Sequence, residues 1–308
     1  MKIAMIGTGG VGGYFGGRLA QAGHSVTFLA RGAHLEALQR QGLTVKSIEG
    51  DFQLHSIEAT DTISAIGPVD LVLLGLKAWQ VKEQAPELTS LLHANTLVLP
   101  LQNGVTAAHD LQPAVPEGHI LGGLCRIISK IEGPGVINHF GFPPTITFGE
   151  LDGSTTDRSE KLRQLFEATP GIKVELTSTI QAELWKKFIF ICLGGLQAVT
   201  QVPLELLRST PESRALMLRL FQEIQAVGQA RGVSLPDDLA ERTLAFVDTL
   251  LAEATTSMAR DLWEGRASEL HQLNGAVVRM AEELSMEVPV NCFVYHALLP
   301  LENQARKG

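Results

Sequence analysis

Four apolar residues, Ile3, Ala4, Met5 and Ile6, run directly into Gly7, Thr8, Gly9, Gly10, Val11 and Gly12, and a helical pattern over residues 11–22 follows. This is G-x-G-x-x-G set between a buried strand and a helix, which points to a parallel α/β sheet. Gly7 permits the tight turn, Gly9 lets the backbone approach a pyrophosphate, and Gly12 lets helix and strand pack closely. The helix N-terminus beyond the turn offers N–H groups and the positive end of a dipole to phosphate oxygens. Residues 7–12 are therefore expected to bind a dinucleotide, against the plainer reading of a structural glycine turn.

The next strand, residues 24–30, selects the cofactor. An NAD site places Asp or Glu about 20 residues after the glycines, accepting from the ribose hydroxyls. Here the strand ends in Arg31 with no acid at its tip. A planar, permanently charged guanidinium suits a 2′-phosphate, so NADP(H) is the expected form. Two later strand ends carry polar residues: Lys77 after residues 69–76 and Asn103 after residues 96–101. Ligands of open α/β sheets bind beyond the carboxyl ends of the strands. Lys77 and Asn103 thus read either as cofactor contacts or as ordinary loop residues.

The first half of the chain alternates short, continuously apolar runs with helical patterns, the mark of a parallel sheet covered on both faces. Two hairpins are expected, one of residues 43–47 with 52–56 and one of 136–140 with 145–148 around Gly141 and Pro143-Pro144. A last strand spans residues 172–176. Helical patterns then take over: residues 179–191, 212–230, 237–252, 265–284 and 291–303. Two domains follow, residues 1–176 and 177–308. Of the 308 residues 45% are hydrophobic, enough for a sizeable core. Lys and Arg total 25 against 33 Asp and Glu, and this net charge of −8 argues against nucleic acid or an anionic membrane as the main partner. Cys125, Cys192 and Cys292 are sparse and unpaired in spacing, as in a reduced cytoplasmic protein. The apolar run at Ile3–Ile6 is shorter than an export signal needs, so a cytoplasmic location is expected. Apolar stretches near residues 88–108 and 188–204 are broken by Pro, Gly, Gln and Asn, so no membrane span is expected. No His/Cys/Asp cluster suggests a metal, and no G-x-S-x-G suggests a hydrolase.

Further pieces lie in order along the chain: Lys77-Ala78-Trp79-Gln80, Gln102-Asn103-Gly104, Pro134-Gly135-Val136, Trp185-Lys186-Lys187, Thr256-Ser257-Met258, and Gly265-Arg266-Ala267-Ser268-Glu269. With the glycine loop and Arg31, this set resembles the ketopantoate reductase family, which reduces a 2-keto acid with NADPH in pantothenate biosynthesis. The resemblance implies an α/β, Rossmann-type, mostly parallel sheet domain followed by an all-α C-terminal domain, an arrangement similar to 6-phosphogluconate dehydrogenase, with substrate between the two. It implies Lys187 as proton donor, Glu269 as a carboxylate at the nicotinamide ribose, and Ser257 as a substrate contact. Asn103 would touch both cofactor and substrate, and Ser129 would touch the cofactor through its backbone. The partner is then a small 2-keto acid; the sequence leaves oligomeric state open, a homodimer included.

Three positions depart from that family. Its substrate asparagines fall four and eight residues after the lysine, where this chain has Ile191 and Gly195, and a third falls at Leu204. The identity of the keto acid is thereby opened, since each lost hydrogen-bond partner costs a polar substrate about 1–3 kcal/mol. Hydride delivery to a carbonyl develops charge on oxygen, which calls for a proton donor or cation. Lys187, in a largely apolar helix one turn after Glu183, meets that need, although Lys186 and Lys187 also read as a solvated face. Glu269 reads alternatively as a surface acid in a helix start, and Ser257 as the cap of a helix beginning near Met258. Two rivals stand beside the reductase: a dehydrogenase of another substrate, such as a hydroxy acid or polyol, and a non-catalytic NADPH-binding protein.

Overall fold

The computed structural model describes residues 1–307. Contacts divide the chain into two compact units, Met1–Gln102 with Thr106–Ile180, and Asn103–Val105 with Gln181–Gly308. In chain order the first unit contains β1 (Lys2–Ile6), α1 (Gly10–Gln21), β2 (Ser25–Leu29), α2 (Gly32–Gln41), β3 (Leu43–Ser47), β4 (Phe52–Leu54), β5 (Glu58–Thr60) and β6 (Leu71–Leu74). It continues with α3 (Gln80–Leu88), β7 (Leu97–Pro100), α4 (Ala107–Leu111), β8 (Leu121–Gly133), β9 (Val136–Glu150), α5 (Asp157–Glu167) and β10 (Lys173–Leu176).

Two sheets result. The first has the order β5-β2-β1-β6-β7, every neighbouring pair parallel. Its central strands β1 and β6 and the edge strand β7 are buried from Ile3 to Ile6, Leu71 to Leu74 and Leu97 to Pro100. Continuous burial on both faces is why these runs are apolar without alternation. The second sheet runs β10-β9-β3-β4, with β8 antiparallel to β9. The hairpin expected at 43–56 is present, Leu43 pairing with Leu54 and Val45 with Phe52.

The hairpin expected within 136–148 is not. Those residues form one strand, β9, which turns back on β8 through Pro134-Gly135, Gly135 having φ +75°. Gly141 and the two prolines make a bulge instead: Arg126 pairs with Thr145 and Ile128 with Phe140, so the excursion is absorbed without reversing the chain. The short edge strand β5 was also not expected; Glu58, Ala59 and Thr60 lack an apolar run, and parallel pairing with β2 makes the strand.

The second unit is helical: α6 (Ile180–Ile191), α7 (Leu193–Thr200), α8 (Leu204–Ser209), α9 (Pro211–Ala230), α10 (Leu239–Asp248), α11 (Ser257–Trp263), α12 (Asn274–Glu283) and α13 (Pro289–Ala305). Its core joins Trp185, Phe188, Leu220, Phe221, Ile224 and Val294, among others. A parallel-sheet unit followed by a helical one is the expected order. The helix expected at 265–284 starts only at Asn274. Gly265 sits at φ +68°, residues 266–268 are irregular, and a bend at Glu269 leads into turns over 270–273.

Four histidines, His24, His34, His139 and His271, have pKa values lowered from 6.5, in each case first by burial. The unfolded chain binds protons to them more readily than the folded one, so stability is full above about pH 6.5 and falls as pH drops below it. Tm is therefore expected to decline between pH 7 and 5.5, before most carboxylates titrate. In His139→Gln the decline should be shallower, because that ring is held between Ser47 Oγ and the Phe142 carbonyl, at 2.7 and 3.0 Å.

Candidate functional site

In the first unit the site begins where β1 ends. Gly7 has φ +95°, and a Cβ there would lie 2.8 Å from the Leu76 amide nitrogen. A Cβ on Gly12 would lie 2.0 Å from the Gly7 carbonyl oxygen, so helix and turn touch backbone to backbone. Gly9 differs from both: its φ is −81° and a Cβ would meet nothing within 4 Å. It is also the N-cap of α1, offers no side-chain cap, and the first turn holds no acid. The first-turn amides of Gly10, Val11 and Gly12 thus begin a helix whose N-terminal end is left to an external acceptor. Thr8 is committed otherwise, its amide and hydroxyl both donating to the Leu29 carbonyl at 3.0 and 2.9 Å. It pins the loop to β2 rather than offering its N–H to phosphate.

Other residues of that unit fringe the loop. The Ser129 carbonyl lies 2.6 Å from where a Gly10 Cβ would be, so β8 crosses the start of α1. Arg31 is exposed at the end of β2 as the N-cap of α2. Lys77 is exposed beyond β6, its amide donating to Gln80 Oε1 and its ammonium 5.7 Å from the centre of the Trp79 ring. Gln102 is buried and donates to the carbonyls of Leu74 and Leu76, fixing the end of β6 beside Gly7. Sequence reasoning missed His34, three residues after Arg31. The Gly135 N–H donates to its Nδ1 at 3.1 Å, which places the ring proton on Nε2. His34 Nε2, Ser129 Oγ and Gln102 Oε1 are all buried with no hydrogen-bond partner among the described residues. Three such atoms around one loop call for a polar guest or ordered water. A groove of about 560 Å³, lined by Lys2, Ser25, Thr27 and Glu58 among others, lies at the other end of β1 and β2 and touches none of these residues.

In the second unit Asn103 Nδ2 donates to Glu269 Oε2 at 2.8 Å, joining two residues 166 positions apart. Glu269 is 5% exposed and sits in the turns ahead of α12, not in a helix start. Ser257 is exposed as the first residue of α11; the cap is Thr256, whose hydroxyl accepts from the Ala259 amide. Lys187 is half-buried midway along α6, close in sequence to the buried Trp185 and Phe188. Its neighbour Lys186 pairs with Glu183 at 2.8 Å.

Residues 3–153 match the family model described as ketopantoate reductase PanE/ApbA, and residues 179–302 match that of its C-terminal region. The chain belongs to the ketopantoate reductase family. It is an oxidoreductase of that family, and the likeness runs its whole length. An uncharacterized oxidoreductase, YkpB, of Bacillus subtilis is 33% identical over 300 residues, covering 96% of this chain and 97% of the relative. The 2-dehydropantoate 2-reductase of Nostoc sp. is 31% identical over 314 residues, covering 100% and 97%. The crystal structure of a PanE/ApbA family ketopantoate reductase from Ralstonia eutropha JMP134 superposes with a TM-score of 0.90 at 32% identity, covering 99% of this chain and 100% of that one.

Within this ketopantoate reductase family member, the three departures have distinct surroundings. Leu204 is buried in the helical core at 2% exposure, and Ile191 is partly buried against it. At Gly195 a Cβ would lie 2.4 Å from Asn274 Oδ1, so any side chain there collides with a buried amide. Asn274 donates to the Cys192 carbonyl and to Asn291 Oδ1, while its own Oδ1 has no partner.

Proposed function

We propose that this enzyme reduces a 2-keto acid to a 2-hydroxy acid with NADPH, ketopantoate to pantoate being the first candidate. The observation that carries the reading is the loop at residues 7–12, with open space at Gly9, an uncapped helix start and three partnerless polar atoms around it. The first-turn amides of α1 would hold the pyrophosphate and Arg31 the 2′-phosphate. When bound, NADPH supplies the hydride that reaches the carbonyl carbon. Lys187 holds a proton for the oxygen that gains charge. Asn103 and Glu269, bonded to each other, present one amide and one carboxylate in fixed relation for hydroxyl groups of cofactor and substrate. Ser257 offers a hydroxyl to the substrate carboxylate, and Lys77 a cation near the phosphates. We place the enzyme in the cytoplasm, a reading supported by three cysteines that are all free thiols.

NADPH oxidation measured with a panel of 2-keto acids tests the reading. Ketopantoate should be turned over, with Arg31→Ala raising the Kd for NADPH about tenfold to a hundredfold and leaving NADH nearly unaffected. Charge-assisted hydrogen bonds contribute about 1.5–3 kcal/mol, and about 1.4 kcal/mol is a factor of ten. Ile191, an apolar and only partly buried side chain where the family carries an asparagine, favours a second reading, a keto acid with a less polar distal end. Faster turnover of alkyl 2-keto acids than of ketopantoate would select it. Tight NADPH binding without turnover of any keto acid would remove the reductase reading.

A further inference from the structure

We propose that Glu302 of α13 and Arg306, the residue that caps its C-terminus, are positioning residues for Glu269, which they hold through Ser268. This rests on the reading that Glu269 serves the reaction. Glu302 is fully buried, as is Ser268. The Glu302 carboxylate accepts from the Ser268 amide at 3.0 and 3.2 Å and from the Ser268 hydroxyl at 2.5 Å. Arg306, one turn along the same helix, pairs with Glu302 at 2.6 Å and donates to the Ser268 carbonyl at 2.9 Å. The amide, hydroxyl and carbonyl of a single residue are thus gripped by an i,i+4 ion pair.

The residue so gripped is the one before Glu269. On the other side, the Glu269 carbonyl accepts from the amides of Gln272 and Leu273 at 3.0 and 2.9 Å, and the Ser268 hydroxyl accepts from the Leu270 amide at 3.2 Å. With the backbone fixed on both sides, the Glu269 side chain starts from a set point, and its carboxylate meets Asn103. A buried ion pair is a poor stabiliser, since apolar residues of like size often do as well or better. Its yield here is geometry: a carboxylate 1 Å out of place can cost about a hundredfold in rate.

The test is a double-mutant cycle on the full-length enzyme with NADPH and the keto acid it turns over. Glu302→Gln keeps the shape and removes the charge; it should lower kcat about tenfold with KM for NADPH little changed. In a Glu269→Gln background the same change should have no further effect, because the route through Glu269 is already cut. Amide hydrogen exchange at Leu270, Gln272 and Leu273 should quicken in Glu302→Gln whether or not cofactor is present. If that variant does not fold, Ser268→Ala, which removes the hydroxyl's 2.5 Å contact to Glu302 and its 3.2 Å contact from the Leu270 amide but keeps the backbone contacts to Glu302 and Arg306, should show the same pattern at smaller size. Equal losses of kcat in both backgrounds, or unchanged kcat in Glu302→Gln, would overturn the inference. Full turnover in Glu269→Gln would overturn the role given to Glu269, and the positioning of it as well.

Discussion

Lys187→Ala should lower kcat by about 10²- to 10⁴-fold, the range of a positioned proton donor, with NADPH bound as before. Lys187 follows Trp185 and precedes Phe188, which are 3% and 0% exposed, and it is itself half-buried. Lys186 supplies an internal control. It is tied to Glu183 in a part-exposed i,i+3 pair, and such pairs contribute under about 1 kcal/mol. Lys186→Ala should therefore leave turnover within a few-fold. Lys187→Arg keeps the cation but holds its proton at neutral pH, so it should not restore the rate. Stopped-flow NADPH oxidation, paired with fluorescence titration of NADPH, separates the two effects. Turnover unchanged in Lys187→Ala, or lost only through weaker NADPH binding, would remove the proposed role.

The second large effect divides the glycine loop. In Gly12→Ala the new methyl would sit 2.0 Å from the Gly7 carbonyl, backbone against backbone, with no side chain able to yield. A loss of about 3 kcal/mol or more is expected, at the upper end for overpacking, and Tm should fall by roughly 6–12 °C together with dinucleotide affinity. Gly9→Ala should behave in the opposite way. Its φ is ordinary and the methyl enters open space, so Tm should hold or rise slightly. That open space is where the reading puts the pyrophosphate, so NADPH affinity should drop about tenfold to a hundredfold. Thermal melts with and without NADPH measure both. Gly9→Ala binding NADPH as tightly as the unaltered chain would move the phosphates elsewhere.

The fold was readable where one physical cause dominates. β1 from Ile3 onward, β6 and β7 are apolar because both their faces are covered, and the turn after β1 needs glycine at φ +95°. It was less readable where partners decide. β5 exists by pairing with β2. Gly141 and Pro143-Pro144 carry turn chemistry, yet β8 holds them in line as a bulge, and Pro134-Gly135 makes the reversal. The helical pattern of 265–273 is interrupted at Gly265, φ +68°, and Ser268 is held by residues 302 and 306, too far along the chain for any local pattern to register. The site was legible in the same uneven way. Residues 7–12 and Arg31 stand out by position on strand ends, whereas Asn103 and Glu269 gain meaning only from the bond between them. His34 gave one signal, its spacing of three from Arg31, which without the Gly135 contact is indistinguishable from a helix surface.

Helix α1 has a consequence for how the first unit assembles. Five of its twelve residues are glycine: Gly10, Gly12, Gly13, Gly16 and Gly17. Each costs about 1 kcal/mol against alanine in a helix, so the isolated segment has no tendency to coil. It is helical because strands from both sheets close on it, Gly16 against Phe28 and Met5, Gly13 against Ile137, and Gly17 against Leu43 and Phe52. The glycine turn at its tip, where the proposed reading puts the phosphates, should therefore be absent from any partly folded chain and be among the last features to form. A dinucleotide that binds there has affinity for the finished unit alone, and it stabilises that unit by RT ln(1 + [L]/Kd), more as its concentration rises above Kd.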